Sequence, residues 1–135
     1  LRYRRKYAAI AIEEETQMGS PVSWVVRNRV KQGQLETFTA LMEEMVAATK
    51  TEPGTLAYEW FIDDVGENVH IYERYVDSEA TMVHAASFGE NFAERYLACV
   101  DVTGFDIYGE PSNDVKNAFA HMGVSYFGTF GGFAR

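Results

Sequence analysis

The chain has 135 residues, enough for one domain of ordinary size, and 47% of them are hydrophobic against 24% charged, a globular balance. Twenty acidic residues against twelve basic ones give a net charge of −8, which argues against a nucleic-acid partner, because phosphate binding needs clustered Lys and Arg. The one cysteine, Cys99, excludes an internal disulfide and offers no zinc spacing, and no apolar run approaches the ~20 residues of a membrane span.

At the N-terminus RYRRK followed by YAAIAI imitates a signal peptide. The apolar run falls short of the roughly 7–15 residues expected of such a core, and EEE stands where a cleavage site would be. A cytoplasmic protein is therefore expected. Residues 1–20 show no sustained periodicity, end in MGSP, and read as a mobile N-terminal extension. From Pro21 the pattern becomes regular. SWVVRNRV (23–30) alternates and is rich in β-branched residues, which predicts a strand. After the turn KQG, the residues Leu35, Phe38, Leu41, Met42, Met45 and Val46 fall on one helical face. That helix ends at TEPG, where Pro53 restrains the residue before it and Gly54 frees the turn.

TLAYEWFI (55–62) and NVHIYERYV (68–76) predict two strands joined by the glycine-containing loop DDVGE. Asp77 or Ser78 caps a second helix whose face runs Ala80, Val83, His84, Phe88, Phe92 and Tyr96. ACVDVTGFDIYG (98–109) predicts a fourth strand, bulged or bent at Gly104. PSNDVKNAFAHMG (111–123) predicts a third helix, capped by Ser112, with Val115, Ala118, Phe119 and Met122 on one face and Gly123 at its end. VSYFGTFGGFAR closes the chain as a strand or extended tail. The order β-α-β-β-α-β is that of an α+β, ferredoxin-like sandwich: one antiparallel sheet with two helices on one face. The domain is expected to span 21–110, with residues 111–135 belonging to it or to a dimer contact. Trp24 or Val25, Phe61, Tyr72 and the aromatic tail make a bare second face improbable, so a homodimer that covers it is expected.

Strand parity puts Val69, Ile71, Glu73 and Tyr75 on one face. If Tyr58 pairs with Glu73, then Leu56, Tyr58, Trp60 and Ile62 share that face, a register that the loop length alone suggests. His84, on the apolar stripe of the second helix, points at the same sheet. The expected pocket has Tyr58, Trp60, Tyr75 and Phe88 as walls for a small aromatic ligand, with Glu73 and His84 as its polar pair. Two readings stay open. Glu73 raises the basicity of His84, which takes a proton from a phenolic or enolic substrate; or the two groups simply satisfy each other in the core. Glu73 could also pair across the sheet with Arg27. His70 and His121 receive no role. No histidine pair has metal-ligand spacing, no glycine-rich phosphate loop follows a strand, and no nucleophile elbow is present.

Taken in order, VVRNRVKQG leading into LETF, then EPGTLAYEWF, HIYERYVDSEA, and His84 within TMVHAAS resemble the antibiotic-biosynthesis monooxygenase family over about residues 22–110. The resemblance implies a dimeric α+β barrel and cofactor-free oxidation of polyphenols or quinols, with His84 backed by Glu73 as the base. It implies that Tyr75 lines the cavity and that Arg95 supplies the cavity arginine of a polyketide-oxidising member. That member's asparagine and tyrosine are replaced here by Ile71 and Thr81. Haem is disfavoured, because the haem-degrading branch's asparagine falls on Val26, two residues from Asn28, and its axial histidine falls near Glu94 or Tyr96. No flavin or metal motif is present. An isomerase or cyclase working through an enol, or a module that binds without turnover, would use the same pocket. The third helix and tail could cap that pocket or embrace the partner subunit, and the glycines and phenylalanines favour the second.

Overall fold

A computed structural model describes residues 19–135. Strand β1 (Val22–Val30) leads to helix α1 (Leu35–Thr49), strands β2 (Thr55–Ile62) and β3 (Asn68–Tyr75), helices α2 (Ser78–Asn91) and α3 (Ala93–Cys99), strand β4 (Val100–Gly109), short helix α4 (Asn113–Ala118) and strand β5 (Ser125–Phe127). The sheet order is β2-β3-β1-β4-β5. The first four strands pair antiparallel, and β5 adds to β4 in parallel, so the sheet is mixed where an antiparallel one was expected. The fold is α+β and ferredoxin-like, and the sheet is open. No helix among the described residues is long and apolar enough to cross a membrane.

Alternation decides which side chains face the helices. On β1 Val22, Trp24, Val26, Asn28 and Val30 are buried, and on β3 so are Val69, Ile71, Glu73 and Tyr75. Trp24 therefore points inward, and Val25 takes the outer face of the two residues expected there. Tyr58 pairs with Glu73 as expected, but the register slips between Thr55 and Ala57, which leaves Leu56 bulged and 57% exposed. The slip expected at Gly104 is present opposite Arg27 and Asn28. There Arg27 lies over the glycine, where an added Cβ would come within 2.3 Å of its guanidinium, and bonds Asp106 at 2.6 Å. Arg27 is thus on the outer face and is not Glu73's partner. That face is mixed in character, with Glu59, Tyr72, Val25 and Asp106 forming one row across it.

The core has two parts under one layer of helices. Phe38, Leu41 and Met45 of α1 pack with Tyr96, Cys99, Val69 and Ile71, while Trp24, Tyr75, Phe105 and Ile107 pack with Val115 and Phe119. The helix expected to run through Phe92 and Tyr96 is broken at Phe92 (φ −130°), just after the weak helix formers Gly89 and Asn91. The break lets Phe88 and Phe92 reach the first part while Ala80 and Ala85 face the second. Asp77 is the cap of α2, its side chain accepting from the Ala80 N–H at 2.8 Å. The third predicted helix is shorter than expected, ending at Ala118 before a run of turns.

Gly54 owes its place to contact and not to an unusual φ. A Cβ there would come within 2.5 Å of the Ala80 Cβ, so glycine allows the loop before β2 to lie against the first turn of α2. Gly54→Val is expected to destabilise the fold by about 1–3 kcal/mol through overpacking, read as a lower urea midpoint at unchanged slope; an unchanged midpoint would show that this approach is not constrained.

Candidate active site

Three elements deliver the polar centre. His84 comes from the second turn of α2, Glu73 from β3, and Glu52 from the loop between α1 and β2. The imidazole is only 6% exposed and Glu73 5%. Nδ1–H of His84 donates to Glu52 Oε1 at 2.9 Å, and its Nε2 lies 3.1 Å from Glu73 Oε1. Thr55 Oγ1 donates to the same Glu52 oxygen at 2.9 Å, and Tyr75 Oη donates to Glu73 Oε1 at 2.5 Å. Both contacts to Glu73 land on Oε1, which leaves Oε2 outside this pair.

Burial alone would lower the histidine's proton affinity, but hydrogen bonds and charge from Glu52 and Glu73 outweigh it and push the group up to about 9. At neutral pH the ring is thus an imidazolium between two carboxylates. Tyr58, Tyr75 and Tyr96 are raised well above the ordinary tyrosine value, chiefly by burial and further by the charge of Glu73, so all three keep their protons. Tyr96 Oη donates to Asn28 Oδ1 at 2.5 Å, and Asn28 Nδ2 donates to Val69 O at 3.2 Å, so Asn28 is fully occupied within the core.

Beside this centre lies a cavity of about 80 Å³ with mostly apolar walls. Tyr58, Phe88, Glu73 and His84 line it, as does Ile71. The other expected wall residues stand elsewhere. Tyr75 is fully buried behind the centre, its ring 5.2 Å from that of His84. Trp60 packs against Phe38 at 5.5 Å and Tyr58 at 5.9 Å, outside the cavity. Arg95 is the clearest correction: it lies on the surface, pairs with Glu44 at 2.9 Å, and covers the Phe92 ring, because the break at Phe92 sets α3 on a different course. Thr81 is buried and bonded to the Asp77 carbonyl, while His70 and His121 are exposed.

Sequence reasoning missed Glu52 and the walls given by Trp24, Phe105, Phe119 and Met122. The one signal for Glu52 was its place in the EPG string, where a carboxylate reads as an ordinary turn residue. The indole Nε1 of Trp24 is buried with no acceptor among the described residues. No group of three or more His, Cys, Asp and Glu side chains among the described residues is arranged to hold a metal ion.

The sequence model of a family described as antibiotic biosynthesis monooxygenase matches residues 21–102, well over half of the chain. The chain belongs to this family. No curated protein matches it significantly. Among solved structures, MupZ from Pseudomonas fluorescens is similar at 21% identity and TM-score 0.76, covering 85% of this chain and 94% of its own. A conserved protein from Methanosarcina mazei Go1 is similar at 24% identity and TM-score 0.60, covering 69% and 95%. A mutant of SnoaB, a cofactor-independent oxygenase from Streptomyces nogalater, is similar at 16% identity and TM-score 0.59, covering 68% and 94%. These are likenesses of fold.

The folded His84 value lies above the unfolded ~6.5. Its bound proton therefore stabilises the fold fully below pH ~6.5, and that contribution is lost as pH rises through about 9. An imidazole NMR titration is expected to place His84 near 9, and Glu52→Gln to lower it. A wild-type midpoint near the ordinary histidine value would refute the double pairing.

Proposed function

We propose that this protein is a cofactor-independent monooxygenase that oxidises a small phenolic or quinol-type aromatic with O₂. The observation that carries the reading is the convergence of Glu73 and His84 on one mostly apolar cavity. Family membership and the fold shared with SnoaB support it.

The geometry supports a different division of labour from the one expected. His84 already holds its proton at neutral pH, so the group on the cavity wall that can accept one is Glu73, through Oε2. The substrate hydroxyl gives its proton to Glu73, and the adjacent imidazolium stabilises the phenolate. Negative charge spreads onto the ring carbon para to the oxygen, and that carbon forms a bond to O₂. The O–O bond then breaks as the ring carbon loses its hydrogen. A phenol and O₂ give a quinone and water: the substrate supplies all four electrons, one oxygen atom enters the ring, and both substrate hydrogens leave in the water. Apolar walls orient the ring and keep bulk water from the anion. The outer sheet face is read as the surface that a second copy covers to complete a dimeric barrel.

An imidazolium flanked by carboxylates also favours a second reading, in which His84 donates its proton in a non-oxidative isomerisation or cyclisation. Oxygen-electrode measurements over a panel of phenols and quinols separate the two. The oxygenase consumes one O₂ per substrate and places one ¹⁸O atom in the product, whereas equal turnover under nitrogen supports the acid-catalysed reading. Glu73→Gln is expected to lower turnover by ~10²–10⁴ if Glu73 is the general base. A folded variant of undiminished activity would remove it from the mechanism.

A further inference from the structure

The cavity is roofed by a part of the chain that the family match leaves out. That match ends at residue 102, whereas Phe119 and Met122 both line the cavity. The roof is fastened at its start. The Ser112 N–H donates to Ser78 Oγ at 2.9 Å, at the head of α2, and the Ser112 hydroxyl accepts from the Val115 N–H at 3.3 Å. Val115 is fully buried and Phe119 only 9% exposed, with the Phe119 ring 5.4 Å from those of both Trp24 and Phe105. α4 and the turns after it therefore reach over β1 and β4 as part of the core, so this stretch takes the capping role. The residues after it carry the exposed Phe127, Phe130 and Phe133.

A match confined to residues 1–110 would cover at most 110 of 135 residues, about 81%, so the 85% shared with MupZ extends past residue 110. The matches to the Methanosarcina protein and to SnoaB cover 69% and 68%.

With the roof in place the cavity holds about 80 Å³, well below the ~300–1,000 Å³ usual for pockets that take drug-sized ligands. Phe119, pinned between two aromatic rings, is the rigid limit, and Met122, unbranched and half-buried, is the adjustable one. We propose that Pro111–Val124 is a specificity cap, in which Phe119 and Met122 restrict the cavity to single-ring phenols and turn away fused polycycles. The proposal deepens the functional reading above and rests on it for the ligand's chemical class.

The test uses 4-methylphenol, 2-naphthol and 9-phenanthrol, phenols of one, two and three rings, titrated calorimetrically under nitrogen so that no turnover is needed. The wild-type chain is expected to bind the one-ring phenol at least about tenfold more tightly than the three-ring one. Phe119→Ala is expected to raise affinity for 2-naphthol about tenfold relative to 4-methylphenol, and Met122→Ala to do so by a smaller factor. Met122→Ala keeps the test open if Phe119→Ala does not fold. Failure of any phenol to bind the wild-type chain, or one size order shared by wild type and the folded variants, would overturn the proposal. Size-dependent binding of this kind without oxygen uptake keeps the cap and removes the oxygenase.

Discussion

The structure depends on keeping a charged imidazole out of water. An isolated ion at the depth of His84 would carry a desolvation cost of several kcal/mol, and two carboxylates from different elements offset it. Glu52 reaches the ring only if its loop lies against α2, which the missing side chain of Gly54 permits. Glu73 reaches it only if the inward face of β3 is the one carrying Ile71 and Tyr75, which the sheet register decides. Loop, strand and helix are therefore held to one arrangement by a polar contact, within a core whose other contacts are nearly all apolar.

The same arrangement shapes the chemistry. The imidazolium spans the two carboxylates, and Glu73 is held from a second side by Tyr75, so the side chain facing the cavity is set in place before any ligand arrives. Tyr58, Phe88 and Ile71 leave that cavity with few other polar groups. A proton moved there passes to or from one well-defined pair, and an anion formed there lies beside a fixed positive charge, where it is worth more than in water. The cavity lies where the two parts of the core meet, which is why its walls come from β1, β4 and the C-terminal cap as well as from the β3–α2 region.

Much of this was legible in the sequence. Period-two alternation and the five-residue loop predicted the pairing of Tyr58 with Glu73, and the helical stripe predicted that His84 meets that sheet face. The glycine in the fourth strand indicated its bulge, and Ser112 indicated the last cap. Other features were not legible, each for a particular reason. Glu52 reads as a turn carboxylate until the loop is folded against α2. The break at Phe92 conserves the apolar spacing, so periodicity alone continued the helix, while Arg95 was assigned to the cavity only by the family resemblance. Tyr75 and Trp60 have the right parity but the wrong depth and distance, which parity does not encode.

By itself the sequence determined the order of the main strands and helices, the face that β3 turns inward, and a single acid–base neighbourhood, because local patterns of period two and 3.6 carry that information. Tertiary structure alone decided that the histidine has two carboxylate partners and not one, that it is therefore charged at rest, and that Phe119 and Met122, from beyond the last helix, line the cavity. Those facts depend on distances between segments far apart in the chain. The affinity of a buried group for its proton is set by the neighbours that folding brings to it, and no spacing along the chain reports them.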